Sequence, residues 1–112
     1  MLATSLVAQV RRLLEAAPAA SLPFTYQQLA EALGLTPPGT IQRVAQALET
    51  LMHEDVRQGR PMMAALVVSR RTGLPAPGFF ELAVALGRFP ADPARHVEAY
   101  RQEYQRALSI RE

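Results

Sequence analysis

Two short helical patterns, separated by glycine and proline, constrain this chain more than any other feature of its sequence. They lie within residues 24–47, FTYQQLAEALGLTPPGTIQRVAQA. Thr25 is a suitable N-cap for the first helix, and Gln28 stands three residues later, as a capping box requires. Gly34 can adopt the positive φ of a helix C-terminus, so we expect the first helix to end near Leu33.

The second helical pattern follows the Pro-Pro-Gly turn at residues 37–39. Thr40 is expected to cap this helix, and the spacing of apolar residues extends it to about Glu54. The apolar residues that repeat with a helical period, and are expected to face the core, are Ile41, Val44, Ala45, Leu48, Leu51 and Met52. Two such helices joined by a short turn are typical of a helix-turn-helix.

The other face of the second helix is polar. Its side chains are Gln42, Arg43, Gln46, Glu49 and Thr50. Arg and Gln can make bidentate hydrogen bonds with guanine and adenine edges, so this helix is a candidate recognition helix. Two ordinary packed helices would also carry such residues on a solvated face, and the sequence leaves that alternative open.

Charge is unevenly distributed along the chain. Its 112 residues, 49% of them hydrophobic, are enough for one compact core, and we expect residues 1–112 to form a single domain. The net charge is +2, yet residues 1–55 contain three Arg and five acidic residues, whereas residues 56–80 contain four Arg and no acidic residue. The excess positive charge therefore lies after the second helix.

That basic segment predicts a wing. It opens with a strand-like run, Met62 to Ser69, and residues 22–24 are expected to add a very short strand beside it. Arg70 and Arg71 would lie at the tip of the following loop, and prolines and a glycine predict irregular structure over residues 75–78. In winged-helix proteins such a loop lies along the DNA backbone or in the minor groove. An ordinary solvated turn is the alternative interpretation.

Flanking helices are expected on both sides of this unit. The N-terminal helix carries an apolar stripe of Leu2, Leu6, Val7, Val10, Leu13 and Leu14. Glu81 to Leu86 predicts a short helix, and Asp92-Pro93 predicts the start of a last one. The stripe of this last helix, which fits either the core or a dimer seam, is Val97, Tyr100, Tyr104 and Leu108. The predicted fold is mainly α with a small β element, a winged helix-turn-helix with N- and C-terminal flanking helices.

The sequence lacks the residues that several kinds of catalytic and metal sites require. The chain has no cysteine, which excludes disulfides and cysteine nucleophiles, and its two histidines, His53 and His96, have no ligand spacing. It contains no phosphate loop or dinucleotide fingerprint. We therefore expect no enzymatic activity, no cofactor and no metal site. No apolar run reaches membrane-spanning length and the N-terminus is unlike a secretory signal, so a cytoplasmic protein without a membrane partner is expected.

The segment TYQQLA, Thr25 to Ala30, resembles the first helix of the DNA-binding domain of alkylguanine DNA alkyltransferases and alkyltransferase-like proteins. The resemblance covers roughly residues 24–80 and implies a winged-helix fold, duplex DNA binding and a position for Tyr26 near a target phosphate. Gln42 aligns with the family's intercalating Arg. The family's nucleophilic cysteine position falls on Ala64, so alkyl transfer cannot occur. A further stretch, LVVSRRTGLPAPGFFELA, resembles a segment of small bacterial proteins and implies no chemistry.

Two functions follow from these patterns. The first is a non-enzymatic protein that binds double-stranded DNA, a small regulator in which Gln42, Arg43 and Gln46 contact bases. Its phosphate contacts would be Tyr26, Arg57, Arg70 and Arg71. One helix and one wing cover few base pairs, so sequence-specific regulation would need two copies, and the sequence leaves open whether the protein forms a homodimer or has a protein partner. The alternative is a protein-interaction module with an apolar surface around Phe79, Phe80, Tyr100 and Tyr104.

Overall fold

The computed structural model of the chain describes residues 5–111. Within this range the fold is mainly helical with one small sheet. Its α-helices are α1 (Leu6–Ala16), α2 (Tyr26–Ala32), α3 (Thr40–Arg57), α4 (Pro77–Ala85) and α5 (His96–Ile110). The strands are β1 (Phe24–Thr25) and β2 (Val67–Val68), and short 3-10 helices span Ala19–Ser21, Met63–Leu66 and Pro93–Arg95. The predicted class, mainly α with a small β element, is confirmed.

The capping box predicted at the start of α2 is confirmed. Thr25 Oγ1 accepts a hydrogen bond from the Gln28 backbone N–H at 3.0 Å, and Gln28 Oε1 accepts one from the Thr25 N–H at 2.9 Å. The capping prediction for α3 is wrong, because Thr40 is its first residue and Gly39, with φ 74°, is its N-cap. The Thr40 hydroxyl is buried and has no hydrogen-bond partner within the described residues. The helix continues beyond Glu54 to Arg57.

The predicted end of α2 is also confirmed, and it depends on one glycine. Gly34 has φ 71°, and its N–H donates to Glu31 O at 3.0 Å while the Leu35 N–H donates to Ala30 O at 3.1 Å. These two bonds form a Schellman motif, which satisfies carbonyls that the helix leaves unpaired.

Replacing Gly34 with alanine should lower the free energy of unfolding by about 1–2 kcal/mol, because a Cβ is disfavoured in the left-handed region. No atom lies within 4 Å of the position that this Cβ would take, so backbone conformation alone would cause the loss. Urea unfolding measures it. Gly78→Ala is the control, since Gly78 lies in α4 and gains helix propensity. Equal losses in the two variants would contradict this explanation.

The strand predicted over Met62 to Ser69 is wrong for most of its length. Residues 63–66 form a 3-10 helix, and only Val67 and Val68 pair, in parallel, with Phe24 and Thr25. The backbone N–H groups of Met62 and Met63 donate to the Glu103 and Asp55 carboxylates, at 2.7 and 3.0 Å. Since side chains take these donors, no strand partner is needed there.

The prediction of irregular structure over residues 75–78 is wrong for residues 77 and 78, because α4 begins at Pro77. Proline is favoured in the first turn of a helix, where its missing N–H would have no partner in any case. Gly87, with φ 78°, follows the last turn of α4, as predicted.

The core lies between α1, α3, α5 and the buried segment 62–68. Its fully buried side chains include Val10, Leu14, Leu29, Val44, Leu51, Met52, Met62 and Leu66. The predicted α1 stripe packs inward from Leu6 onward, and Leu2 lies outside the described residues. On α5, Tyr100 is buried and Tyr104 and Leu108 pack against the core, whereas Val97 is 40% exposed.

Candidate nucleic-acid interface

The first half of α3 presents three polar side chains to solvent. Gln42, Arg43 and Gln46 are all exposed, and their spacing of three and four residues puts them on one face of the helix. Arg43 is in no salt bridge within residues 5–111. These three side chains, called here the α3 polar face, are therefore free to contact a ligand.

Ile41 lies at the exposed edge of the apolar face of α3 and not in the core. The prediction that it faces inward is wrong, because 45% of it is exposed in the first turn of α3. Its position fits the same apolar period as Val44 and Leu48, so the sequence pattern could not separate them. The exposure of a large apolar side chain adds a contact surface that the sequence did not indicate.

Arg57 is exposed but lies far from the α3 polar face. It is the last residue of α3, 15 residues after Gln42, a separation of about 22 Å along the helix axis. Arg57 and Gln42 therefore cannot contact the same base pair.

Arg70 and Arg71 lie in a tight turn after β2. The Ser69 N–H donates to Leu74 O at 2.8 Å, and the Gly73 N–H donates to Ser69 O at 2.9 Å. Both arginines are exposed and neither is in a salt bridge within the described residues. After this turn the chain continues into α4, and the strand that pairs with β2 is β1, in parallel.

Tyr26, the first residue of α2, is hydrogen-bonded to the chain between the turn and α4. The Ala76 N–H donates to Tyr26 Oη at 2.8 Å, and burial raises the pKa of the phenol, which stays neutral at physiological pH. The parallel register, Thr25 with Val68, makes Tyr26 and Ser69 neighbours where the two strands end. Tyr26 also lines a cavity of about 110 Å³ together with Ile41. The bond from Ala76 uses the Tyr26 oxygen as an acceptor. A phosphate, which accepts hydrogen bonds, would take the Tyr26 hydroxyl hydrogen instead.

Ala64 lies beside a mostly apolar cavity. It is buried in the 3-10 helix Met63–Leu66 and lines the same cavity as Tyr26. A methyl group has neither a nucleophile nor a titratable proton, so this position supplies no covalent chemistry.

Two of the four residues predicted for the apolar surface of the alternative function are buried. Phe79 and Tyr100 are buried, with 7% and 6% of their surface exposed, and they pack in an aromatic cluster with Phe80 and Phe89. Phe80 and Tyr104 are half-buried. The sequence could not separate core from surface here, because aromatic residues serve both.

The histidines differ in their surroundings. His53 is exposed, whereas the His96 ring stacks on Phe80 with centroids 5.4 Å apart, and its Nε2 lies 2.8 Å from Pro90 O. Over residues 5–111, no three His, Asp or Glu side chains are grouped so that they could hold a metal ion.

In the described range, every helix is too short or too polar to cross a lipid bilayer. Comparison with known proteins finds no family model, no curated protein and no solved structure that matches this chain.

Proposed function

We propose that this protein binds double-stranded DNA without catalysing a reaction on it. The observation that carries the proposal is the α3 polar face, three exposed side chains whose chemistry suits base edges, on a helix held against α2. In this proposal α3 enters the major groove with its polar face toward the base edges.

The turn with Arg70 and Arg71 serves as the wing in this proposal. It would contact phosphates beside the groove that α3 enters, and both guanidiniums are free of intramolecular salt bridges within residues 5–111. Tyr26, hydrogen-bonded to Ala76 and adjacent to Ser69, supports a fixed relation between this turn and α3. The winged-helix interpretation therefore rests on a turn and not on a β-hairpin.

Arg57 has a separate role in this proposal. Its distance along α3 suits a phosphate of a neighbouring turn of DNA, not one beside the bases that Gln42 contacts. A homodimer would add a second α3 polar face and lengthen the site. The alternative, a protein-interaction module, has less support because Phe79 and Tyr100 are buried.

Fluorescence anisotropy with short duplexes, at several salt concentrations, tests the proposal. Three cationic phosphate contacts, from Arg57, Arg70 and Arg71, predict a slope of log K against log salt of about −2.7, or a roughly 40-fold loss of affinity between 50 and 200 mM salt. Replacing both Arg70 and Arg71 with alanine should reduce the slope by about 1.8 and weaken all sequences alike. No binding at micromolar protein and low salt would overturn the proposal.

The matched control is the double substitution Arg12→Ala and Arg101→Ala. It removes the same charge from exposed positions on α1 and α5 that the proposal leaves unused. If the control weakens binding as much as the Arg70 and Arg71 pair, attraction depends on net charge and not on a defined surface. Light scattering of the same samples reports the oligomeric state.

A further inference from the structure

A charged cavity lies away from the α3 polar face. Its volume is about 290 Å³, and it is lined by three guanidiniums, those of Arg11 in α1, Arg60 after α3 and Arg111 after α5. The two carboxylates that line it are Asp55 and Glu15. The lining residues alone carry one more positive than negative charge, and Glu54, which pairs with Arg11 at 3.0 Å, offsets it.

The buried carboxylate has little capacity left. Asp55 Oδ1 accepts a hydrogen bond from Nη2 of Arg60 at 3.1 Å and lies 2.9 Å from Nη2 of Arg11, and Oδ2 accepts the Met63 N–H at 3.0 Å. Arg11 also contacts Glu54 at 3.0 Å; although burial opposes it, these ion pairs raise the pKa of Arg11. Every carboxylate oxygen of Asp55 is engaged.

Arg111 forms no salt bridge with a carboxylate within the described residues. Its Nη1 donates to the carbonyl oxygens of Leu14 and Ala17, at 2.7 and 2.6 Å, where α1 ends. The helix dipole offsets part of this charge, but carbonyl oxygens have no formal charge to balance it.

Unused donors remain in this cavity. A guanidinium has five N–H groups, and Arg60 and Arg111 each donate through a single Nη nitrogen. The Nε atoms of both residues are buried without a hydrogen-bond partner among the described residues. A buried unpaired donor is costly, and its usual explanation is a bound water or ion.

We propose that this cavity binds a small tetrahedral oxyanion of the phosphate class. Such an anion supplies negative charge and several acceptor oxygens outside one plane, which suits guanidiniums that come from three separate elements. The volume, roughly ten times the ~30 Å³ share of a water molecule, suits a small ion better than a nucleotide.

This site is separate from the α3 polar face. Asp55 lies 13 residues after Gln42 on α3, a separation of about 20 Å. Failure of DNA binding therefore leaves the anion site intact, and the reverse also holds.

Isothermal titration calorimetry with inorganic phosphate, at fixed ionic strength, tests the site. We expect saturable binding with a dissociation constant below about 1 mM. Arg60→Lys keeps the charge beside Asp55 but removes Nε–H, and it should weaken binding about tenfold. Arg101→Lys, at an exposed position of α5 that does not line the cavity, should leave it unchanged. Equal affinity in all three proteins, or acetate binding as tightly as phosphate, would overturn the proposal.

A second measurement needs no variant. In the unmodified protein, the NMR signals of the Arg60 and Arg111 Nε–H groups should shift on phosphate addition and saturate with the calorimetric constant. Unmoved signals in saturating phosphate would exclude this cavity as the site. The natural ligand is either free phosphate or the phosphate end of a larger molecule, and titration with ribose 5-phosphate distinguishes the two. Binding comparable to that of phosphate indicates the larger molecule, and no binding of ribose 5-phosphate indicates the free ion.

Discussion

Replacing Asp55 with alanine is expected to lower the free energy of unfolding by about 3–5 kcal/mol, the usual cost of removing one partner of a buried ion pair. Asp55 is fully buried, and its loss leaves Arg60, part of Arg11 and the Met63 N–H without their acceptor. A domain of this size is stable by about 5–15 kcal/mol, so the variant should be marginal. Chemical denaturation measures the change.

Glu54→Ala is the matched control for that experiment. Glu54 is the preceding residue and contacts the same Arg11, but its side chain is 38% exposed. An exposed ion pair contributes about 0–1 kcal/mol, so this variant should change little. If Glu54→Ala and Asp55→Ala lose the same stability, burial is not the cause.

Replacing Glu103 with glutamine should cost about 3 kcal/mol, because it removes a buried charge while keeping the shape of the side chain. Glu103 Oε2 accepts from the Met62 N–H at 2.7 Å and from Nη1 of Arg88 at 2.7 Å, and the Glu103 side chain is 1% exposed. Thermal and urea unfolding measure the loss. Hydrogen exchange should show the Met62 amide less protected in the variant, since the remaining amide oxygen is a weaker acceptor.

Arg106→Ala is the control for this second prediction. Arg106 lies 3.7 Å from the other oxygen of Glu103, but its side chain is 61% exposed, so its removal should cost less than about 1 kcal/mol. A large loss in Arg106→Ala, with little in Glu103→Gln, would show that the surface pair and not the buried bonds stabilises this region.

The two carboxylates act on consecutive backbone groups. Asp55 on α3 and Glu103 on α5 hold Met63 and Met62, and this pair of bonds fixes the segment that leads to Ala64. Tyr100 adds a third bond from α5, its hydroxyl donating to Ala65 O at 2.9 Å. The segment beside the cavity of Tyr26 is therefore held from two helices.

Sequence reasoning was most accurate where structure depends on near neighbours. The capping box of Thr25 and Gln28, and the stop at Gly34, involve residues within a few positions of one another. The N-cap prediction was wrong at Thr40, because the N-cap is the preceding residue, Gly39, and Thr40 is the first residue of the helix. The exposed positions of Gln42, Arg43 and Gln46 followed from the helical period.

The amino-acid sequence by itself determined the helical content, the boundaries of α2 and the polar face of α3, since local hydrogen bonds and a 3.6-residue repeat are encoded in short windows. Only the tertiary structure decided that residues 62–66 are not a strand, because the N–H groups of Met62 and Met63 bind carboxylates 41 and 8 residues away. It also decided that Ile41 is exposed and Phe79 buried, because burial depends on which elements pack together, and a one-dimensional pattern does not contain that information.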